Sequence, residues 1–123
     1  MDNGYKQQFY QRIYRYGLDI IQLVDSLVIK DNVSKILGNQ LLRSGTSIVA
    51  NIIEAKSANS KKDYLNFYQY ALKSANETKL WICYLRDSKK IKTEQGNKIF
   101  KETEEIANIL AESVITMKNK RKI

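Results

Sequence analysis

Four stretches of this chain repeat apolar residues at intervals of three and four, and no proline interrupts any of them. That spacing gathers side chains on one face of an α-helix, and proline is the residue that most reliably breaks one. Phe9, Ile13, Leu18, Ile20, Ile21, Val24, Leu27 and Val28 mark a first helix, with Gln, Arg and Asp between them. Asp31 or Asn32 can cap a second, running through Leu37, Leu41, Ile48 and Ile52 to about Lys56. Ser60, followed three residues later by Asp63, resembles a capping box and starts a third. Its seam is Tyr64, Phe67, Ala71, Ala75, Thr78, Ile82 and Leu85, ending at the charged cluster Arg86 to Lys92. Thr93 can cap a fourth, with the seam Ile99, Thr103, Ile106, Leu110, Ser113 or Val114, and Met117. No segment alternates with a period of two over a strand length, so the fold class is all-α. Helices of roughly 20 residues joined by loops of about 4 to 7 favour antiparallel neighbours. The expectation is one domain over residues 1–123, an up-down-up-down antiparallel four-helix bundle, with a short frayed basic tail from about Lys118.

The second helix has an unusual middle. LLRSGTSIVANIIEA, residues 41–55, sets Ser44, Gly45, Thr46 and Ser47 in a row, all weaker helix formers than Ala or Leu. Leu41, Ile48, Ile52 and Ala55 form one apolar strip, and Leu42, Val49 and Ile53 form a second beside it, wider than a bundle helix needs for its own core. The second strip therefore suggests packing against something outside the monomer. The opposite side carries Gln40, Arg43, Ser44, Ser47, Asn51 and Glu54: a polar face opposite an apolar arc is by default solvated, but short Ser and Asn in place of long charged residues also suit half-buried hydrogen bonds. Equal distances from the loop at Lys56 to Ser60 set Gly45 and Thr46 level with Ala71, and Leu42 level with Ala75, so small residues meet small ones. The same register brings Arg43 within about a turn of Glu77.

Composition narrows the chemistry. There is no histidine and only one cysteine, Cys83, which excludes Cys/His zinc sets, a Ser-His-Asp triad and an internal disulfide. Glu102, Glu104, Glu105 and Glu112 read as the solvated face of the fourth helix, and a metal site at Asn51, Glu54 and Glu77 is conceivable but not demanded by the spacing. No cofactor or metal is expected, and the chain reads as non-enzymatic. No apolar run approaches the roughly 20 residues of a membrane span, and the polar N-terminal segment is unlike a secretory signal, so a cytoplasmic protein without a membrane partner is expected. The eight tyrosines fit core and interface positions better than a base-stacking platform; Trp81, off the third seam, suits an interface anchor.

Charge points outward. Twenty-one Lys and Arg against 13 Asp and Glu leave a net +8, which favours polyanionic partners. In an up-down bundle Lys6, Lys56, Lys61, Lys62, Lys118, Lys120, Arg121 and Lys122 gather at one end, and Lys30, Arg86, Lys89, Lys90 and Lys92 at the other. Each cluster taken alone also fits ordinary solvated loops. The nucleic-acid site is expected at Lys56, Lys61, Lys62, Lys118, Lys120, Arg121 and Lys122.

LLRSGTSIVANIIEA followed by KKDYLNFYQYALKSANE resembles the signature of the four-helix-bundle family of 23S rRNA-intervening-sequence proteins, once labelled S23 ribosomal proteins. Arg43, Ser47, Ile48, Asn51, Ile52, Glu54, Ser74 and Glu77 stand at matching places; Ile53 and Ala55 depart from the family's Ala and Gly. The resemblance implies a bacterial protein encoded within insertions of large-subunit rRNA genes or elsewhere, assembling as a homopentamer. It is similar at fold level to the accessory protein of diversity-generating retroelements, a basic pentamer associated with nucleic acid and reverse transcriptase. The expected function is a self-assembling bundle that binds RNA or DNA through a basic surface. The alternatives are an oligomeric adaptor for a partner protein, and a selfish insertion product without host function.

Overall fold

The computed structural model describes residues 3–122; the side chains of Asn3, Arg121 and Lys122 lie outside that description. It contains four α-helices, α1 (Asn3–Leu27), α2 (Asn32–Ala55), α3 (Lys61–Asp87) and α4 (Thr93–Lys122). The α1–α2 and α3–α4 turns share one end, where Lys30 Nζ donates to the Lys90 carbonyl at 3.2 Å. The α2–α3 loop lies at the other, where Lys56 Nζ sits 4.4 Å over the ring centre of Tyr10. This is the antiparallel four-helix bundle that the apolar spacing predicts.

The caps explain where α2 and α3 begin. Asp31 is extended and its carboxylate accepts from the Ser34 backbone N–H at 2.8 Å, which holds its pKa below the usual aspartate value. Ser60 plays the same part for α3, accepting from Asp63 N–H at 3.1 Å. Thr93 is not a cap but the first helical residue of α4, and the carbonyl of Lys92 accepts the first bond, from Gly96 N–H at 2.9 Å. The end of α3 closes as a Schellman motif: Lys90 N–H bonds the Leu85 carbonyl at 2.9 Å and Lys89 N–H the Arg86 carbonyl at 3.1 Å. Lys89 occupies the left-handed position, φ 64°, where glycine is usual.

The core is a column of fully buried side chains from all four helices, among them Ile13, Ile20, Leu41, Ile48, Ile82 and Leu110. Several seam positions differ from expectation. In α1, Tyr16 and Leu23 are buried while Leu18 and Ile21 are 43% and 45% exposed. In α3 the seam begins at Leu65 and Tyr68, with Tyr64 and Phe67 only partly covered. In α4 Val114, not Ser113, continues the buried line. The basic segment from Lys118 is no frayed tail: α4 continues helical to Lys122, with Lys118 and Lys120 exposed.

The second apolar strip of α2 also finds its partner inside the molecule. Leu42 and Val49 pack against the core, and a methyl group added at Gly17 of α1 would meet Val49 at 3.4 Å. The arc is wide because α2 is flanked by two helices, not one; of the strip only Ile53 stays exposed, at 42%.

Candidate nucleic-acid interface and polar seam

The short polar residues of α2 line its junction with α3. Ser44 and Thr78 are both fully buried, and their hydroxyls are hydrogen-bonded across the interface at 2.8 Å. Thr78 Oγ1 also lies 2.7 Å from the Ser74 carbonyl, so the two hydroxyls between them have an acceptor for each proton. One turn along, Ser47 and Ser74 hydroxyls pair at 2.9 Å, and Asn51 Nδ2 donates to the Ser47 carbonyl at 2.9 Å and to its hydroxyl at 3.1 Å. Arg43 forms an ion pair with Glu77 and donates to Gln40 Oε1 at 2.9 Å; Trp81 Nε1 donates to Glu77 at 3.1 Å. The hydrogen bond from Arg43 lowers the Glu77 pKa, assisted by Trp81 against a smaller opposing effect of burial. Of the motif residues, Arg43, Ser47, Asn51, Ser74 and Glu77 are thus brought together. Glu54 is not: it is exposed and forms no hydrogen bond or ion pair among the described residues.

The cross-helix pairs also correct the expected register. Ser47 faces Ser74 and Ser44 faces Thr78, so α3 is displaced by about one turn from the equal-distance alignment. Counting from the loop assumes that both helix ends stand level, and they do not. Gly45 therefore does not meet Ala71. It accommodates α1: a Cβ there would lie 3.0 to 3.3 Å from the side chain of Ile20.

The α1–α4 side is built differently. Arg12 grips Glu102 through two bonds of 2.8 and 2.6 Å and reaches Glu105 at 2.7 Å, so these acids are not merely solvated. Below them Tyr16 OH lies 2.6 Å from Thr103 Oγ1, whose own proton goes to the Ile99 carbonyl at 2.7 Å. Burial raises the Tyr16 pKa well above that of a free phenol, and likewise that of Tyr68. A groove of about 670 Å³ opens between α1 and α4 above this contact. Sequence reasoning missed Arg12 as a partner. The i, i+3 acids mark one face of α4, but their cation stands 90 residues away.

Both ends of the bundle carry exposed cations. Lys56, Lys61, Lys62, Lys118 and Lys120 are exposed and form no ion pair among the described residues. They share the end at which α2 and α4 finish and α3 begins. Arg121 and Lys122 continue α4 there, but their side chains lie outside the described residues. At the other end Arg86 pairs with Asp87 at 2.9 Å, lowering the carboxyl pKa, and Lys90 pairs with Asp31 at 3.4 Å, while Lys30, Lys89 and Lys92 are exposed and form no ion pair among the described residues. No group of three or more Cys, Asp or Glu side chains suited to a metal exists among the described residues, and none of their helices is long and apolar enough to cross a membrane.

The fold and seam define a class: an antiparallel four-helix bundle whose second and third helices are joined by a hydroxyl ladder and an Arg–Glu pair. A family model for 23S rRNA-intervening sequence protein matches residues 5–112, and the chain belongs to that family. A crystal structure from Bacteroides thetaiotaomicron VPI-5482, of a protein with unknown function from the S23 ribosomal protein family, is 36% identical. It superposes with a TM-score of 0.79, covering 85% of this chain and 96% of that one. No curated protein matches the chain.

Proposed function

We propose that this protein is a non-enzymatic, self-assembling bundle of the cytoplasm that binds RNA or DNA through its lysine-rich end. The observation that supports the reading is the gathering of five exposed lysines, none in an ion pair among the described residues, at the end where α2 and α4 finish and α3 begins. A cation already held by a carboxylate loses that contact when it turns to a phosphate, whereas a free lysine only releases its counterions. Assembly multiplies the effect, because each copy in a closed oligomer adds the same five lysines to one rim. The absence of histidine removes the commonest general base and zinc ligand, in keeping with a binding role.

Fluorescence anisotropy of labelled structured RNA, duplex DNA and single-stranded DNA, titrated at about 50 and 200 mM salt, tests this. Affinity should fall by about a hundredfold or more across that range, and Lys61→Glu with Lys62→Glu should remove most of the binding at the lower salt. Absence of binding at the lower salt overturns the reading and leaves an adaptor whose partner is a protein.

A further inference from the structure

The lysine-rich end also gathers aromatic rings. Tyr64 lies in the first turn of α3, three residues after Lys61. It is stacked on Tyr68, ring centres 4.8 Å apart and planes 20° from parallel, and its hydroxyl donates to that of Tyr68 at 3.2 Å. Tyr68 is buried and Tyr64 only half-buried, so a ring with part of its surface in water is held in place from one side. Tyr10 of α1 stands close to both, half-buried, with Lys56 Nζ over its ring. Five residues nearer the start of α1, Tyr5 is 75% exposed beside exposed Lys6. The charge around these rings is one-sided. Lys6, Lys56, Lys61, Lys62, Lys118 and Lys120 are exposed and form no ion pair among the described residues. Of the acids nearest to them in the chain, Glu54, Asp63 and Glu112 pair with none of them, and Asp2 lies outside the described residues.

We infer that the nucleic acid held at this end is single-stranded, its phosphates on the lysines and its unpaired bases stacked on Tyr5 and Tyr64. This rests on the nucleic-acid reading proposed above and names the form of the ligand. Lysines alone do not discriminate, because every strand and every duplex carries phosphates. The rings do. Inside a duplex both faces of each base are already covered by neighbouring base pairs, whereas an unpaired base offers its face to an aromatic side chain, a contact that strengthens binding about fivefold to a hundredfold. Tyr64 suits this because Tyr68 already fixes its ring, so little side-chain freedom is lost when a base covers the open part. Tyr5 suits it for the opposite reason: exposed as it is, its ring adds little to the core and is free to turn toward a strand lying on the lysines. Stacking is indifferent to the sugar and tolerant of sequence, so the same site takes RNA or DNA.

Probes that separate bases from phosphates test the inference. Fluorescence anisotropy at about 50 mM salt compares a labelled oligothymidine strand, the same strand annealed to oligoadenosine, and a strand of equal length made of abasic sites. The unmodified protein should bind the thymidine strand about tenfold or more tighter than the abasic strand, and tighter than the duplex. Tyr5→Ala with Tyr64→Ala should remove that advantage while leaving duplex affinity unchanged, which a misfolded variant cannot do. Tyr5→Ala alone, at an exposed position, should weaken single-strand binding about fivefold. Tyr84→Ala, equally on the surface but about 30 Å further along α3, should change nothing. Absence of binding to all of these probes overturns the nucleic-acid reading itself. Equal affinity for the thymidine and abasic strands, or ring variants that bind the single strand as the unmodified protein does, overturns the stacking alone.

Discussion

The α2–α3 side and the α1–α4 side of the bundle solve the same packing problem with opposite means. On the first, Ala71, Ala75, Ser44 and Thr78 keep the side chains short, the backbones come close, and hydroxyls bridge the gap. On the second, the backbones stand apart and long side chains span the distance, Arg12 to Glu102 and Glu105 above, Tyr16 to Thr103 below. Close packing of small groups is intolerant of added volume but insensitive to salt. A bridge of long charged groups tolerates volume and is screened. The groove lies on the bridged side for that reason.

The contrast can be broken most severely at α2. Gly45→Leu drives a side chain into Ile20 and should cost about 3 kcal/mol in thermal or denaturant unfolding, whereas Gly45→Ala should change little. In the alanine variant the gain in helix propensity, about 1 kcal/mol, offsets the small displacement of Ile20. Thr78→Val keeps the shape of the close-packed side but leaves the buried Ser44 hydroxyl with only the Leu41 carbonyl, at 3.5 Å. A loss of about 1.5 kcal/mol, unchanged by salt, is expected.

On the bridged side, Arg12→Ala should cost about 1 kcal/mol at low salt and visibly less at 1 M, because the pair is a third exposed. Equal losses at both salt concentrations would mean that Arg12 acts by packing instead. The smallest effect belongs to Glu77→Gln. Its carboxyl pKa is lowered in the fold, so its contribution is present above the unfolded glutamate value of about 4.3 and is lost as pH falls through the lower folded value. Stability relative to the variant should differ by a few tenths of a kcal/mol at pH 7 and vanish in acid below that window.

Much of this was legible from residue order. Ser60 was readable as a cap, and the α2 cap to within Asp31 or Asn32, because capping is local, decided within four residues. The nearness of Arg43 to Glu77 followed from an antiparallel hairpin, whereas the contact of Ser44 and Ser47 with α3 did not, since a polar stripe reads the same whether it faces solvent or a neighbouring helix. The register was not legible to within a turn, since it depends on how far one helix overshoots the other at the loop. Nor was the use of the second strip of α2. Leu42, Val49 and Ile53 are equally apolar whether they face α1 or a neighbouring molecule. Of the candidate nucleic-acid residues, the shared end was predictable from topology alone, while it required coordinates to find that Lys56, Lys61 and Lys62 form no ion pair among the described residues although Glu54 and Asp63 stand close in the chain.

The sequence by itself determined four helices, their order and the neighbourhood of two of their caps, because periodicity, capping and the lack of proline act over a few residues of contiguous chain. Only the tertiary structure decided that Gly45 makes room for Ile20, that Arg12 holds Glu102, and that Leu18 and Ile21 stay outside while Tyr16 goes in. These are outcomes of which surfaces meet across the bundle. A helix with apolar residues around half its circumference does not carry that information until its neighbours are in place.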